Sequence, residues 1–152
     1  MLTLERVTRT FPVGGGNVKI AVDSVNLTIA KGEFVTVIGS NGAGKSTLLN
    51  LIAGRYLPDG GRITLDGTDI TRWSEHRRAA FIGRVFQDPM QGTAASMTIE
   101  ENLCMAECRG KRRTLRRGVT RDRRARYRQL LAPLGLGLED RLQSEVGLLS
   151  GG

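Results

Sequence analysis

Eight consecutive residues, Gly39–Ser46, combine glycine, lysine and serine at a spacing that suits phosphate chemistry. They read Gly-Ser-Asn-Gly-Ala-Gly-Lys-Ser, which matches the pattern G-x-x-x-x-G-K-[ST] in full. Glycines let the backbone wrap closely enough for successive amide groups to point at phosphate oxygens. The residues therefore predict a loop that binds the phosphates of a nucleoside triphosphate.

The side chains at the end of this loop have distinct expected roles. Lys45 brings a positive charge to the β- and γ-phosphates, and Ser46 supplies a hydroxyl oxygen to Mg²⁺. Thr47 adds a second hydroxyl near the phosphates, and a helix that begins near Gly44 adds the positive end of its dipole. The expected nucleotide-binding residues of the loop are Gly39, Ser40, Asn41, Gly42, Ala43, Gly44, Lys45, Ser46 and Thr47.

The elements on either side of the loop must hold it in place. Phe34–Ile38 is a short β-branched run, typical of a strand that is buried on both faces. Apolar residues at helical spacing follow over residues 45–53, and Gly54 comes just after them, as is common past a helix end. A buried strand entering the loop and a helix leaving it is the arrangement that phosphate binding requires.

The rest of the first 90 residues indicates strands joined by tight turns. Asp66-Gly67 is a strong hairpin signal between residues 62–65 and 68–70. Ser74 is placed to cap a short helix to about Ala80. The other predicted strands are Met1–Val7, Ile20–Ile29 and Ala80–Phe86, with a turn over residues 13–16.

Helices are predicted after residue 90. Thr98-Ile-Glu-Glu101 fits a capping box, in which the threonine hydroxyl and the glutamate side chain each bind the other residue's amide. A second helix is predicted from the i, i+3, i+4, i+7 spacing of Tyr127, Leu130, Leu131 and Leu134. We therefore expect two regions: residues 1–90 with the strands and the phosphate loop, and residues 91–152 with the helices.

Composition excludes some classes of protein. Apolar residues make up 39% and charged residues 25% of the 152, close to the globular average. No apolar run approaches the roughly 20 residues of a membrane span, and the N-terminus lacks a secretory signal. The chain is therefore expected to be cytoplasmic.

Cysteine and histidine often bind metals, but the three such residues of this chain are not expected to form a metal site. Cys104 and Cys108 are four residues apart on one face of a predicted helix, without a nearby histidine, so half-buried thiols are favoured over a zinc site. His76, the single histidine, lies between two charged residues and is expected at the surface.

The net charge of +8 comes from one segment. Residues 109–128 hold eleven Lys or Arg against one acid, Asp122. A solvated helical face, an anionic membrane surface and nucleic acid are the alternative interpretations of this segment. Nucleic-acid binding is the least favoured, because Tyr127 is the only aromatic residue among the basic ones.

The phosphate loop, a glutamine at position 87 and the final Leu149-Ser-Gly-Gly152 occur in the order and at the spacing of the ABC transporter ATPases, which this chain resembles over its whole length. The loop resembles their Walker A motif, and Leu149-Ser-Gly-Gly152 looks like the start of their signature motif. The resemblance implies an α/β fold: an incomplete P-loop NTPase core, an N-terminal antiparallel β subdomain and an α-helical subdomain. It also implies ATP and Mg²⁺ as cofactors.

The resemblance assigns further residues by position. Phe11 matches the aromatic residue that stacks on adenine. Gln87 matches the Q-loop glutamine, which reaches toward Mg²⁺ and the attacking water and couples the site to the membrane partner. Ser150, Gly151 and Gly152 match the signature residues that contact the γ-phosphate bound by the opposite subunit, which implies a dimer.

One departure from the family pattern concerns catalysis. The family continues into a Walker B strand with a Mg²⁺-binding aspartate and a catalytic glutamate, and no segment here matches that strand. We therefore expect this chain to be a fragment that binds ATP and scarcely hydrolyses it.

The main functional hypothesis is the ATPase subunit of a bacterial importer, peripheral on the inner face of the cell membrane. Its implied partners are a transmembrane permease, a second ATPase subunit and a separate solute-binding protein, without nucleic acid. The alternatives are a soluble ABC-type ATPase that acts on ribosomes or DNA, and a binding fragment without catalysis.

Overall fold

The computed structural model describes residues 1–111 and 118–149. The chain divides into two compact units, Met1–Ile82 and Gly83–Gly152. No helix among the described residues is long and apolar enough to cross a membrane.

The first unit contains a four-stranded antiparallel sheet. Its strands are β1 (Leu2–Val13), β2 (Asn17–Ile29), β3 (Gly60–Leu65) and β4 (Thr68–Asp69), in the order β2-β1-β3-β4. The β3–β4 turn has positive φ at both Asp66 (48°) and Gly67 (78°), as an Asx-Gly hairpin turn requires. The predicted antiparallel strands and the predicted hairpin are therefore confirmed.

The long β1–β2 hairpin is interrupted near its middle. The register shifts between Leu4 and Val7, and Arg6 and Ser24 both have positive φ. Side chains from the opposite strand satisfy the two displaced amides: Asn26 Oδ1 accepts from Arg6 N, and Thr8 Oγ1 accepts from Ser24 N. Such bulges bend a strand and increase its twist. The far half of the hairpin, residues 9–22, therefore runs in a different direction from the near half, residues 2–4 and 27–29.

Helix α1 (Lys45–Ala53) begins and ends where the sequence predicts, with Gly54 in the left-handed conformation after it. The core of the unit consists of Leu4, Val7, Val22, Leu51, Ile63 and Ile70. Helix α2 (Glu75–Arg78) is shorter than predicted. Ser74 stands at its N-cap position, but the hydroxyl bonds the His76 ring rather than a helix amide, and His76 is exposed as expected.

Two predicted strands are absent from the described residues. Residues 34–38 form no strand, and Phe34 and Ile38 are 91% and 89% exposed. Residues 80–86 form no strand either, and Val85 is 98% exposed. A central strand needs a hydrogen-bonded neighbour on each side. The four strands of the described residues pair only with one another, so residues 34–38 and 80–86 have no neighbouring strand to pair with.

The second unit is helical. Helix α3 (Ile99–Glu107) begins with the predicted capping box: Thr98 Oγ1 accepts from the Glu101 amide, and the Glu101 carboxylate accepts from the Thr98 amide at 2.8 Å. Helix α4 (Arg121–Leu131) follows, with short 3₁₀ turns at Pro89–Gln91, Ala132–Leu134, Leu138–Asp140 and Val146–Leu148. The core of this unit is Ile99, Cys104, Tyr127, Leu131 and Leu142.

The buried face of α4 is narrower than its sequence spacing suggests. Tyr127 and Leu131 are buried, whereas Leu130 is exposed. The helix ends at Leu131, so Leu134 lies beyond it in a 3₁₀ turn and is exposed as well. The two thiols differ, although both were predicted to be half-buried: Cys104 is buried in the core, while Cys108, the C-cap residue just after α3, is exposed. The described residues contain no group of three His, Cys, Asp or Glu side chains that could hold a metal ion.

Candidate functional site

The predicted phosphate loop lies between residue 38 and helix α1. A turn closes it, with Ala43 N donating to Ser40 O at 3.2 Å. Gly42 and Gly44 have φ of 85° and 87°, a region that favours glycine. A Cβ atom on Gly44 would lie 2.1 Å from the carbonyl oxygen of Ala21 in β2, so only glycine fits there. The loop is therefore held directly against the backbone of β2.

Helix α1 presents an uncapped N-terminus to the loop. Gly44 is its N-cap, no side chain caps it, and no acidic residue lies in its first turn. The first helical hydrogen bond runs from Leu48 N to Gly44 O at 2.8 Å, so the amides of Lys45, Ser46 and Thr47 precede it. Free amides and the positive end of the helix dipole make this terminus a site for an anion.

The Lys45 side chain folds back across the loop. Its Nζ atom donates to Gly39 O and to Ser40 O, both at 2.7 Å. No carboxylate forms an ion pair with Lys45 within residues 1–111 and 118–149. Two neutral carbonyls leave the positive charge uncompensated, so phosphate oxygens could replace them with a gain in electrostatic energy.

The residues next to Lys45 suit a magnesium ion that is shared with phosphates. Ser46 is exposed and Thr47 is partly buried in the first turn of α1. Mg²⁺ takes oxygen ligands, keeps several waters, and is commonly bound through substrate phosphates with few protein ligands. The Ser46 hydroxyl is chemically suited to be one of those ligands.

A cavity of about 180 Å³ lies beside the loop. Its walls are β2 residues 21–23 and 25, residues 37–38, and the loop and helix residues 43–45 and 48. This volume is below the roughly 300–1,000 Å³ of typical ligand pockets. The cavity is thus too small to enclose a nucleotide.

Phe11 lies near the end of β1 and is partly exposed. It pairs with Lys19 of β2, two residues before the Ala21 carbonyl that abuts Gly44. The same stretch of hairpin therefore carries Phe11 and supports the phosphate loop. The structure also places Tyr56 against Phe11, with ring centroids 5.3 Å apart, a contact that the sequence analysis missed.

The other predicted site residues lie in the second unit. Gln87 is exposed and precedes the 3₁₀ turn Pro89–Gln91, where the Asp88 carboxylate accepts from Met90 N at 2.9 Å. The role of Gln87 stays a prediction. Ser150, Gly151 and Gly152 lie outside the described residues.

Sequence reasoning missed Arg78, whose side chain is buried in the first unit with 1% relative exposure. Its guanidinium donates to two carbonyls at the end of α1, Leu51 O at 2.6 Å and Ile52 O at 2.9 Å. It also donates to Trp73 O at 3.1 Å and Thr71 O at 2.9 Å. Burial lowers the pKa of Arg78, and the charge of Asp69 opposes that shift. An arginine in the charged segment 75–78 reads as a surface residue, so no local signal identified it.

Several arginines of the basic segment pair with glutamates of α3. Arg124 forms a bidentate ion pair with Glu100, in which Nε donates to Oε2 at 2.5 Å and Nη2 donates to Oε1 at 2.7 Å. Glu107 accepts from Arg126 at 2.8 Å and pairs with Arg123 at 3.3 Å. Part of the basic segment therefore joins α4 to α3. Residues 112–117 of the segment lie outside the described residues.

Comparisons with known proteins agree on one family. The family described as ABC transporter matches residues 22–152. The chain is 41% identical over 152 residues to the tyrosine transport ATP-binding protein of Clostridioides difficile (strain R20291), covering all of this chain and 60% of that protein. It is 37% identical to the choline transport ATP-binding protein OpuBA of Bacillus subtilis (strain 168), covering all of this chain and 36% of OpuBA.

A solved structure gives the same result. A dimeric bacterial ABC transporter cassette superposes with a TM-score of 0.80 at 30% identity, covering 99% of this chain and 64% of that one. A post-hydrolysis form of such a dimer, bound to ADP and Pi, superposes with a TM-score of 0.79. The predicted α/β fold is confirmed by these matches. The chain spans about three fifths of the length of the tyrosine transport ATP-binding protein that it matches.

Proposed function

This chain belongs to the ABC transporter family, and from that membership we propose that it is the ATP-binding part of a transporter ATPase subunit, which couples ATP to solute transport. The observation that carries the proposal is the uncapped N-terminus of α1, entered through a glycine loop and followed at once by Lys45. The relatives reported above are named as transport proteins, so an ATPase that acts on ribosomes or DNA is not favoured.

In this proposal the triphosphate binds along the loop Gly39–Thr47. The amides of Lys45, Ser46 and Thr47 donate to phosphate oxygens, and the Lys45 ammonium exchanges the carbonyls of Gly39 and Ser40 for the β- and γ-phosphates. The Ser46 hydroxyl is a ligand of Mg²⁺, which neutralises phosphate charge when bound. Phe11 stacks on the adenine.

Catalysis and assembly are proposed by analogy with the family. Gln87 orients the attacking water near Mg²⁺, and Ser150, Gly151 and Gly152 contact the γ-phosphate held by a second ATPase subunit. The dimeric state of the solved cassettes supports this assembly. The other proposed partners are a membrane permease and a separate solute-binding protein, with the ATPase on the cytoplasmic face of the membrane.

We also propose that the 152 residues bind ATP without hydrolysing it. In the sequence after the phosphate loop, no run of four apolar residues is followed by two acids, so no carboxylate pair matches the family's acids that hold Mg²⁺ and polarise water. Phosphate release by the purified chain should equal that of a Lys45→Ala control. Turnover above that control would show that another carboxylate, such as Asp88, acts in catalysis.

Thermal unfolding with and without ATP-Mg tests nucleotide binding. At 100 times its dissociation constant, a ligand stabilises the folded state by about 2.7 kcal/mol. For a chain of this size that corresponds to a rise in Tm of about 5–10 °C. Lys45→Ala should abolish the rise, whereas Lys31→Ala, at an exposed lysine in a turn, should keep it. Equal shifts in the two variants would contradict the proposed site.

A further inference from the structure

Asp59, in the loop between α1 and β3, ties that loop to the far half of β1. Its Oδ1 accepts from Arg9 Nη1 at 2.8 Å, and its Oδ2 accepts from Thr10 N at 2.7 Å and Thr10 Oγ1 at 2.8 Å. The Asp59 amide in turn donates to Thr8 O at 2.9 Å. The hydrogen bonds from Thr10, together with the charge of Arg9, lower the pKa of Asp59. The carboxylate therefore stays ionised at neutral pH.

The Arg9 guanidinium, fixed by Asp59, covers the Phe11 ring. Arg9 and Phe11 are two residues apart on β1, and the guanidinium carbon lies 5.0 Å from the centroid of the Phe11 ring. It lies 5.9 Å from the centroid of Tyr56, and Nη1 also donates to Leu57 O at 3.0 Å. These distances are within the range of cation–π attraction. The Arg9 side chain is 27% exposed, so it packs against the Phe11 and Tyr56 rings rather than extending into solvent.

Tyr56 restrains the same ring from another direction. The Phe11 and Tyr56 rings meet at an interplanar angle of 74°, an edge-to-face arrangement that aromatic pairs prefer. Phe11 is thus held by a cation over its face and an aromatic ring at an edge. It nevertheless stays partly exposed. Phe11 is therefore held in one orientation while part of its ring stays accessible.

We propose that Arg9, Asp59 and Tyr56 are positioning residues that clamp Phe11 as a platform for the base, and that they set how strongly the site prefers ATP over a bare triphosphate. The proposal rests on the proposed role of Phe11 in stacking on adenine. A ring already fixed in its bound orientation loses little conformational entropy when the base stacks on it, which increases affinity. The clamp contributes to binding of the base and leaves binding of the phosphates to the loop and Lys45.

Two ligands separate these contributions. The dissociation constants of ATP-Mg and of inorganic tripolyphosphate-Mg are measured by calorimetry for the wild type and for Arg9→Met. Loss of the clamp should weaken ATP by about two- to fivefold, the equivalent of one exposed cation–π contact. The affinity for tripolyphosphate should stay within about twofold of the wild type, since no phosphate contact changes. A general loss of stability would weaken both ligands alike.

Matched variants complete the experiment. Arg62→Met removes an arginine that also pairs with an aspartate of the first unit, Asp69, at 3.4 Å, and it should change neither affinity. Arg9→Lys keeps the charge and should recover most of the preference for ATP. Should Arg9→Met fail to fold, Tyr56→Leu removes the edge contact while keeping the ion pair, and it should lower ATP affinity selectively.

The outcomes distinguish the clamp from the function on which it rests. Equal weakening of both ligands by Arg9→Met would overturn the clamp, because Arg9 would then act on phosphate binding or on general stability and not on binding of the base. Unchanged ATP affinity in Arg9→Met and Tyr56→Leu, with a clear loss in Phe11→Ala, would overturn the clamp alone. If Phe11→Ala also binds ATP like the wild type, the proposed role of Phe11 is wrong. If the wild type binds neither ligand, the proposed nucleotide site is wrong.

Discussion

Replacing Arg78 with methionine should lower the free energy of unfolding by about 3–5 kcal/mol, because it leaves buried main-chain carbonyls without a donor. The guanidinium donates to four main-chain carbonyls, two of them at the end of α1. Those two carbonyls belong to the last turn of the helix, where the regular helical amide donors run out. Leu51 O also accepts from Gly54 N at 3.3 Å. Arg78 therefore anchors the end of α1 that is opposite the phosphate loop.

The magnitude follows from the carbonyls that are left unpaired. Each buried carbonyl without a partner costs about 1–3 kcal/mol. Methionine fills much of the volume of Arg78 but donates no hydrogen bond, and water can reach some of the carbonyls. If about two of the four stay unsatisfied, the loss is roughly 2–6 kcal/mol, a range that contains the expected 3–5 kcal/mol.

Urea unfolding followed by circular dichroism measures this loss. With an m-value of about 1–3 kcal/mol/M, the midpoint should fall by at least about 1 M. Arg72→Met, at an exposed arginine six residues before Arg78, should lie within about 0.5 kcal/mol of the wild type. Arg78→Lys, with three donors on a flexible chain, should fall between the two. A loss below about 1 kcal/mol in Arg78→Met would refute the anchoring of α1.

Three further changes probe the fold and its pH dependence. Gly54→Ala should cost more than about 1 kcal/mol in urea unfolding, because φ is 84° and the new Cβ would lie 2.9 Å from the Arg78 side chain; a neutral result would mean that Arg78 moves freely. Thr98→Ala should cost about 1 kcal/mol and Thr98→Ser much less, and equal Tm values for the two would show that the α3 cap is dispensable. The hydrogen bonds from Thr98 lower the pKa of Glu101, so its contribution to stability holds above about pH 4 and is lost as the pH falls further. In an acid titration Glu101→Gln should therefore lose less stability below pH 4 than the wild type, and parallel curves would contradict this contribution.

Features set by neighbours in sequence were predictable. Helix α1 and its terminal Gly54, the Asp66-Gly67 turn and the Thr98 capping box depend on residues within a few positions of one another. Backbone conformation and side-chain hydrogen bonds act locally there, so residue types are sufficient to predict them. The conformation of the loop Gly39–Ser46 belongs to the same class, since its glycines and the start of α1 are contiguous. Its binding of phosphate stays a prediction.

Features set by distant partners were not predictable. Phe34–Ile38 has the composition of a central strand, but pairing needs neighbours that composition cannot supply. Arg78 reaches carbonyls 26 and 27 residues away, and Arg9 meets Asp59 50 residues away. Both arginines look like surface residues in sequence, and only the tertiary fold shows what they bind.

Amide NMR of the ¹⁵N-labelled chain shows residue by residue whether the loop before α1 binds the phosphates of ATP. Titration with ATP-Mg should shift the amide resonances of Gly42–Thr47, because those amides gain phosphate acceptors. Tripolyphosphate-Mg should shift the same resonances without moving Phe11. Lys45→Ala should need far more ligand for the same shifts. If saturating ATP-Mg leaves the amide resonances of Gly42–Thr47 unshifted while other amide resonances shift, the nucleotide binds elsewhere and the loop is not the phosphate site.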